Sequence, residues 1–227
     1  MQSEKIHGQS TDGLPQPLFK GLGRPALASA VFFMLLTGLA YPLATTGVAN
    51  LLFPEQAQGS LIQSGGALVG SRHIGQWFTQ ERYFHGRPSA TMGSDPQDPA
   101  QTIAQPYNAA ASGASNQGVL SKTLLDGVAG RAQAYREVNG LAADTPVPVD
   151  AVTASASGLD PHISVANARL QAGRVAQARG LPVEHVMQLV EQHTSGRQFG
   201  LLGDPRVNVL ELNLALDAAD PAGQAAQ

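Results

Sequence analysis

The sequence is organised around one uncharged stretch: residues 25–53 read PALASAVFFMLLTGLAYPLATTGVANLLF. Arg24 precedes it, Glu55 follows it, and no later part of the chain is as long and apolar. Roughly 20 helical residues, each rising about 1.5 Å, cross a hydrocarbon core about 30 Å thick. The 29 residues therefore predict a single transmembrane helix that is long enough to span with some tilt.

The charges on either side of this stretch predict its orientation. Three basic residues precede it, whereas only Arg72 follows within about 20 residues. The three are Lys5, Lys20 and Arg24. Because basic residues near a span stay on the cytoplasmic side, residues 1–24 are predicted to be a cytoplasmic tail. The domain at 54–217 is then predicted to lie outside the cytoplasm.

A cleaved signal peptide is the alternative, with LAYPLA at 39–44 as a possible cleavage site. The apolar region of a signal peptide normally covers 7–15 residues. The stretch here is about twice that length, and the polar tail before it is unusually long. A retained anchor is therefore favoured.

Inside the predicted span, Pro42 would break a soluble helix. Membrane helices tolerate proline where neighbouring groups, such as the hydroxyls of Thr45 and Thr46, satisfy the freed backbone. Small residues also recur at four-residue spacing, which lets a second helix approach closely. They are the pairs Ala26/Ala30 and Ala40/Ala44, with Gly38 between them. Alanine and glycine are also simply common in membrane helices, so both interpretations stay open.

Composition narrows the function classes. The chain has a net charge of −3, and the part after Phe53 holds 11 basic and 15 acidic residues. A weakly acidic domain without a basic cluster argues against nucleic acid as a partner. The sequence has no cysteine, which excludes disulfides, a thiol nucleophile and cysteine-based zinc sites.

The domain is predicted to be mixed α/β. Residues 54–64 read as a connector, and two short strand pieces follow at 67–70 and 73–75. A loop rich in proline, glycine and serine covers 88–118, and loops of that length are usually functional or disordered. Three helices are then predicted: Ser121 to Val138, Ser164 to Arg179 with Gly180 ending it, and Pro182 to His193. The tail at 218–227 is predicted to be disordered.

The segment 207–216 is ambiguous. Leucines at every second position from Leu210 to Leu216 favour a strand. A final helix starting at Pro205 is the alternative.

The sequence matches the common catalytic and metal-binding motifs only in part. Gly65 and Gly70 are spaced as in a phosphate-binding loop, but Ser71 stands where the lysine is required. GASNQG at 113–118 resembles a nucleophile elbow with its second glycine one residue late. His185 and His193 are eight residues apart on one helix, too far to share a metal ion.

The tripeptide Asp160-Pro161-His162 presents a carboxylate and an imidazole in one turn. A membrane-anchored serine hydrolase using His162 is therefore the alternative function. A structural turn before the next helix is favoured over it.

Several longer motifs outweigh these isolated patterns. In order they read YFHGRPSA at 83–90, YNAAASGASN at 107–116, SGLDPHIS at 157–164, RVA at 174–176, HT at 193–194 and RVNVLELN at 206–213. With one N-terminal span, this set resembles the C subunit of the Kdp-type high-affinity potassium-transporting P-type ATPase. The resemblance covers residues 24–217.

The resemblance implies a non-catalytic accessory subunit of a bacterial inner-membrane complex. In that family a channel-like A subunit selects potassium, and a P-type B subunit carries the ATP site. A small membrane peptide subunit and membrane lipid are further expected neighbours, and a role in helping the B subunit bind ATP is attributed to the family. We expect no catalytic, cofactor-binding or metal-binding residue in this chain, with ATP and potassium handled by the partners.

Six residues of these motifs are candidates for fixing loops or contacting partners. They are Tyr83, Arg87, Asn108, Asp160, His162 and Asn208. Stabilisation of turns within the domain is at least as good an interpretation of each.

Overall fold

The computed structural model describes residues 21–220. The predictions for the N-terminal tail at 1–20 and for the end of the chain at 221–227 lie outside the described residues. The chain divides into two units, the first ending at Gln58 and the second beginning at Gly59. Each unit is described by itself.

The first unit is the apolar helix. It consists of α1 (Gly23–Leu35), a π-helical turn (Leu36–Ala40) and α2 (Tyr41–Leu52), and a short helix α3 (Pro54–Ala57) follows. Within the continuous helix Gly23–Leu52 an 18-residue window has a mean hydropathy of 1.8, and this is the one helix among residues 21–220 that is long and apolar enough to cross a membrane. The prediction of one such helix is confirmed.

Pro42 stands in the first turn of α2, directly after the π-helical turn. There the Tyr41 N–H bonds the Leu36 carbonyl, five residues back, which widens the helix before the proline. The Thr45 hydroxyl donates to the carbonyls of Tyr41 and Pro42 at 2.9 and 3.0 Å. Pro42 thus lies within one continuous helix, and the Thr45 hydroxyl bonds carbonyls beside the proline rather than the earlier carbonyl that the proline leaves free.

The second unit opens with a hairpin. Strand β1 (Leu61–Ser64) pairs antiparallel with β2 (Ala67–Ser71), and Gly65 and Gly66 form the turn with φ of 59° and 82°. Two consecutive positive φ angles suit a tight hairpin turn and favour glycine. The predicted connector at 54–64 is therefore wrong in its last four residues, which form strand β1. The predicted strand piece at 73–75 is also wrong, because only an isolated bridge between Ser71 and Ile74 forms there.

The predicted long loop contains a second small hairpin. Strand β3 (Met92–Ser94) pairs antiparallel with β4 (Thr102–Ala104), and the rest of 88–118 is irregular. Two helices follow, α4 (Lys122–Val138) and α5 (Val149–Val152). The prediction for α4 is confirmed.

The remaining elements form the centre of the domain. They are β5 (His162–Ser164), α6 (Val165–Arg179), α7 (Val183–Gln192), β6 (Thr194–Ser195), β7 (Arg206–Asn208) and α8 (Val209–Ala219). The three strands make one antiparallel sheet in the order β5-β7-β6. The mixed helix-and-sheet class is confirmed.

Helix α6 begins and ends as its sequence predicts. The Ser164 hydroxyl accepts a hydrogen bond from the Asn167 N–H at 3.1 Å, and Gly180 ends the helix with φ 65°. In α7, Val186 and Val190 are fully buried, while Val183 is exposed.

Helix α8 corrects the strand favoured for 207–216. Residues from Val209 onward are helical, and the helix starts four residues later than the alternative at Pro205. Leu212 and Leu216 are fully buried, and Leu210 nearly so. Leucines at every second position fall on two sides of a helix, so the pattern also fits a helix packed on more than one side. The helix extends two residues beyond the boundary predicted at Asp217.

The core lies between α6, α7, α8 and the sheet. Its buried members are Phe84, Ile163, Ala168, Ala172, Val175, Ala176, Val186, Val190, Val207, Val209, Leu212 and Leu216. Phe84 comes from an irregular segment rather than from a helix or strand. This brings the first of the sequence motifs into the core.

Candidate functional site

The structure brings three of the six candidate residues together. Arg87 Nη1 donates to Asp160 Oδ2 at 2.9 Å, and the His162 N–H donates to Asp160 Oδ1 at 3.0 Å. The His162 imidazole Nδ1 lies 3.4 Å from the same Oδ1. Asp160, Pro161 and His162 therefore form a turn closed by the aspartate side chain, with Arg87 bound to its other oxygen.

The charge state of Asp160 follows from these contacts. Burial raises the pKa of the Asp160 carboxyl, but hydrogen bonds from His162 and Arg87 outweigh burial and hold the pKa below its usual 3.8. Asp160 is thus a carboxylate at neutral pH. Its two oxygens are both occupied by groups of the domain itself.

Tyr107 packs beside this cluster, and sequence reasoning missed it. Its hydroxyl donates to the Arg87 carbonyl at 2.8 Å. Burial, together with the nearby Asp160, raises the pKa of this hydroxyl to about 12. A Cβ on Gly75 would lie 2.3 Å from the ring, and one on Gly86 would lie 2.4 Å from the hydroxyl. Only glycine fits at these two positions, which indicates how closely the loops approach one another there.

The hydroxyls of Ser89 and Thr91 fix the segment of chain that follows Arg87. Ser89 Oγ donates to the Gly158 carbonyl at 2.7 Å and accepts from the Tyr107 N–H at 3.0 Å. Thr91 Oγ1 donates to the Gln105 carbonyl at 2.6 Å. Gly158 has φ 68°, and a Cβ there would lie 2.5 Å from Thr91. The motifs at 83–90, 107–116 and 157–164 are therefore one contact network.

Asn108 acts within its own loop. Its amide nitrogen donates to the Met92 carbonyl at 2.8 Å and to Gln105 Oε1 at 3.1 Å. Its amide oxygen accepts from the Ala110 N–H at 3.0 Å. The side chain thus ties the start of the second motif to strand β3.

Tyr83 lies in a different cluster. Its hydroxyl donates to Asp217 Oδ2 at 3.1 Å, and Arg179 Nη2 binds Asp217 Oδ1 at 2.8 Å. The Arg179 guanidinium also lies 5.1 Å from the centre of the Tyr83 ring, within cation–π range. Burial, followed by the charge of Asp217, raises the pKa of the Tyr83 hydroxyl. The Arg179 side chain is completely buried, so this ion pair is an internal one.

The backbone around Tyr83 is bonded by side chains instead of a neighbouring strand. Asn213 donates to the Phe84 carbonyl at 3.0 Å and accepts from the Phe84 N–H at 2.8 Å. Gln171 makes the same pair of bonds with His85, at 3.1 and 2.8 Å. Arg174 donates to the carbonyls of Glu81 and Tyr83. We call these three side chains, Gln171, Arg174 and Asn213, the polar clamp.

Sequence reasoning did not identify the polar clamp. Arg174 and Asn213 lie within quoted motifs, but nothing local showed what they bind. One signal was available: Asn213 stands between Leu212 and Leu214 in a strongly apolar run. A polar residue in that setting is usually buried with a partner.

A second, partly buried network surrounds the start of α6. Asp150 accepts from the Ser164 hydroxyl at 2.8 Å and from the Asn167 side chain at 2.9 Å. The Tyr135 hydroxyl donates to Asn167 Oδ1 at 2.8 Å. Burial, with the charge of Asp150, raises the pKa of the Tyr135 hydroxyl. This network joins α4 and α5 to α6.

Asn208 caps the last helix. Its side-chain oxygen accepts from the Glu211 N–H at 3.1 Å, and its amide nitrogen donates to the Arg72 carbonyl at 2.8 Å. Asn208 therefore caps the start of α8 and also holds Arg72, the residue directly after strand β2.

Nothing at His162 supports the hydrolase alternative. Among residues 21–220, the Asp160 carboxylate is the polar side chain in contact with the imidazole, and no serine hydroxyl is hydrogen-bonded to it. Within the same range, no group of three or more histidine and acidic side chains is placed to hold a metal ion. In chemical terms, Arg87 balances the negative charge of Asp160, and the Asp160 carboxylate fixes the turn at 160–162.

Comparison with known proteins gives a consistent result. The sequence model of the family described as "K+-transporting ATPase, c chain" matches residues 23–218. A Rhodopseudomonas palustris protein named potassium-transporting ATPase KdpC subunit is 56% identical over 199 residues, covering 86% of this chain and 97% of that protein. Proteins of the same name from Bradyrhizobium diazoefficiens and Mycobacterium bovis are 55% and 52% identical. These alignments cover 86% and 85% of this chain and 96% of each relative.

Proposed function

The chain belongs to the family of the potassium-transporting ATPase c chain, the KdpC subunit, and from this membership we propose that it is a non-catalytic accessory subunit of an ATP-driven, high-affinity potassium uptake complex. Its partners are then a channel-like A subunit, which selects potassium, and a P-type B subunit, which hydrolyses ATP. ATP and potassium are bound by these partners.

The observation that carries this proposal is the extent of the family match. It runs from residue 23 to 218, and so includes the apolar helix and the domain together. A relative of nearly equal length aligns over 97% of its sequence. The proposed role therefore applies to both units, the apolar helix and the domain.

The apolar helix supports a role in assembly. None of its side chains is buried within the chain, so lipid or other membrane helices must cover them. The small residues at Ala26 and Ala30, and at Ala40 and Ala44, offer flat faces to a partner helix. We propose that this helix packs against the A subunit, with lipid or a small membrane peptide subunit on its other sides.

The basic residues before the helix support an orientation with the domain outside the cytoplasm. In that position the domain lies over the potassium entrance of the A subunit, on the side where ATP is absent. Any help with ATP binding by the B subunit is then indirect. The acidic balance of the domain, 15 acidic against 11 basic residues after Phe53, mildly favours cations near that entrance.

Co-purification tests the assembly. The complete chain, tagged and extracted from membranes in mild detergent, should bring down a multi-span channel subunit and a P-type ATPase in fixed ratio. Potassium-stimulated ATP hydrolysis should appear only in preparations that contain all of them. Recovery of this chain alone from cells that make all subunits would refute the proposal.

The absence of cysteine makes the orientation simple to test. A single cysteine at Asp126, which is exposed on α4, should react with a membrane-impermeant maleimide in intact spheroplasts. A single cysteine at Ser3 should react only after permeabilisation. The opposite pattern would place the domain in the cytoplasm and contradict the orientation.

A further inference from the structure

A cavity lies between the segment at 77–88 and helices α4 and α5. It has a volume of about 340 Å³, which is within the range of small-molecule sites. Its walls include three aromatic side chains, those of Trp77, Phe78 and Tyr135, and the aliphatic side chain of Val138. A cavity of this size with aromatic walls is typical of sites that bind a small ligand with an apolar or aromatic body.

The aromatic walls are held in place by the rest of the domain. The Trp77 ring packs against the Tyr107 ring, with 6.2 Å between the ring centres. The Phe78 ring packs in the same way against the Tyr83 ring, with 5.2 Å between the centres. The Tyr135 hydroxyl is tied to helix α6 by a hydrogen bond of 2.8 Å. The cavity is therefore formed before any ligand enters, which limits the conformational entropy lost on binding.

The charge at this cavity is positive. Arg131 is the one arginine or lysine among residues 21–220 that lines it, and in the same range no aspartate or glutamate lines it or forms an ion pair with Arg131. Arg131 Nε donates to the Val152 carbonyl, which leaves the terminal nitrogens of the guanidinium without an acceptor in that range. A half-buried guanidinium without a carboxylate favours an anionic ligand. A single cation suits one carboxylate better than a polyphosphate.

The cavity also offers a hydrogen-bond acceptor, the imidazole of His85. His85 Nε2 lies 3.1 Å from the Gln80 carbonyl, which can only accept, so Nε2 carries the proton. Burial, followed by the charge of Arg174, lowers the pKa of this imidazole, so the ring is neutral at pH 7. Its Nδ1 therefore keeps a lone pair, to which no donor of residues 21–220 is hydrogen-bonded. A hydroxyl of a ligand can supply that donor.

We propose that this cavity binds a small aromatic acid. The ring of the acid lies among the aromatic walls, its carboxylate pairs with Arg131, and a hydroxyl on the ring donates to His85 Nδ1. This site goes beyond the proposed function, because every group that it uses belongs to this chain. The bound acid joins the segment at 77–88 to α4, and so stabilises the domain around the first sequence motif.

Fluorescence tests the site directly, because Trp77 is the single tryptophan of the chain and lines the cavity. The purified full chain in mild detergent is titrated with 3-(4-hydroxyphenyl)propionate, with excitation at a wavelength that this probe does not absorb. We expect a saturable change in emission with a Kd of about 1 mM or tighter, which ligands of this size reach. The unfolding temperature should rise with the concentration of the probe.

Two related compounds test the class of ligand. The amide of the same acid carries no charge and should bind at least about tenfold more weakly. Octanoate keeps the carboxylate but has no ring, and it should also bind more weakly. No saturable change with the aromatic acid, or equal binding of either related compound, would overturn the inference.

Replacement of the cation tests its role. Arg131→Gln should weaken binding of the acid at least about tenfold. Arg136→Gln is the matched control, because Arg136 lies on the same helix and its Nε also donates to a backbone carbonyl, that of Thr145, at 2.8 Å, but it does not line the cavity. This control should bind the acid as the parent does. Equal losses in the two variants, or no loss in Arg131→Gln, would overturn the inference.

A third variant tests the place of binding and leaves Arg131 unchanged. Ala134 lines the cavity and is exposed, so the ring added by Ala134→Phe should fill part of the space without disturbing the core. We expect this variant to lose the fluorescence response, while its thermal unfolding in the absence of the acid matches that of the parent. A response equal to that of the parent would show that the acid binds elsewhere and would refute the assignment of this cavity.

Discussion

The apolar helix and the domain bond their backbone groups and cover their apolar side chains in opposite ways. Between Gly23 and Leu52, backbone groups are bonded within the helix, and no side chain is buried. The domain instead buries twelve apolar residues in one core, and around them buries polar groups that bond its loops. The helix depends on its surroundings for cover, whereas the domain makes its own interior.

This difference predicts where the chain is sensitive to substitution. Shortening a side chain of the helix removes contacts with lipid or partners and leaves the domain unchanged. Shortening a buried side chain of the domain removes contacts that hold the fold. The following four experiments test this division, from the largest expected effect to the smallest.

Removal of residues 1–58 should separate the two units completely. Because the core lies entirely after Gly59, the remaining domain should fold and melt within a few degrees of the full chain. Membrane association and co-purification of other subunits should be lost, since the helix is removed. Cell fractionation and circular dichroism measure the two effects. A domain that fails to fold alone would refute the division.

Leu212→Ala should destabilise the domain by about 3–5 kcal/mol, because the side chain is fully buried and its truncation leaves a cavity in the core. Urea unfolding, followed by circular dichroism, measures the change. Leu43→Ala is the matched control, since Leu43 is 65% exposed on the apolar helix. Its domain should unfold at the same urea concentration as the parent, and an equal loss in both variants would contradict the comparison.

Asn213→Ala should cost about 2–3 kcal/mol. It leaves the N–H and the carbonyl of Phe84 buried without a partner, and each such group costs roughly 1–3 kcal/mol, part of which water entering the space recovers. Asn50→Ala is the control, because Asn50 bonds only the Thr46 carbonyl on its own helix. An Asn213→Ala variant as stable as the parent would show that Asn213 of the polar clamp does not hold Phe84 in place.

Asp160→Asn should have the smallest effect and a characteristic pH dependence. The folded pKa of Asp160 lies below 3.8, so its charged contacts stabilise the domain above that pH and are lost as pH falls through the folded pKa. The variant should therefore be about 1–2 kcal/mol less stable than the parent at pH 7. The difference should narrow below about pH 4. Asp126→Asn, at an exposed ion pair, is the control and should change the free energy of unfolding at pH 7 by less than about 1 kcal/mol.

Elements defined by local signals could be predicted from the sequence. The apolar helix follows from its uninterrupted composition, and α6 from the serine before it and the glycine after it. These signals act within one or two turns, so no distant residue is needed to interpret them. The resemblance of the motifs also identified the family.

The rest depends on contacts between distant residues. The favoured strand at 207–216 was wrong because alternating leucines fit a sheet with one buried face, and only the packing of α8 on several sides decides otherwise. Among the candidate residues, Arg87, Asp160 and His162 meet in one cluster, whereas Tyr83 and Asn208 lie in separate ones, and their roles at a partner stay a prediction. Gln171 and Asn213 could not be assigned roles, because their partners are 86 and 129 residues away.

The polar clamp also has a consequence for biosynthesis. Phe84 is made 129 residues before Asn213, and at about 5–20 residues per second the ribosome needs roughly 6 to 26 seconds to bridge that interval. Until α8 has been made, Phe84 lacks the Asn213 side chain that bonds its N–H and carbonyl, and the core lacks Leu212 and Leu216. The domain therefore completes its fold only after nearly the whole chain has been synthesised, and the early segment depends during that time on whatever protects nascent chains from aggregation.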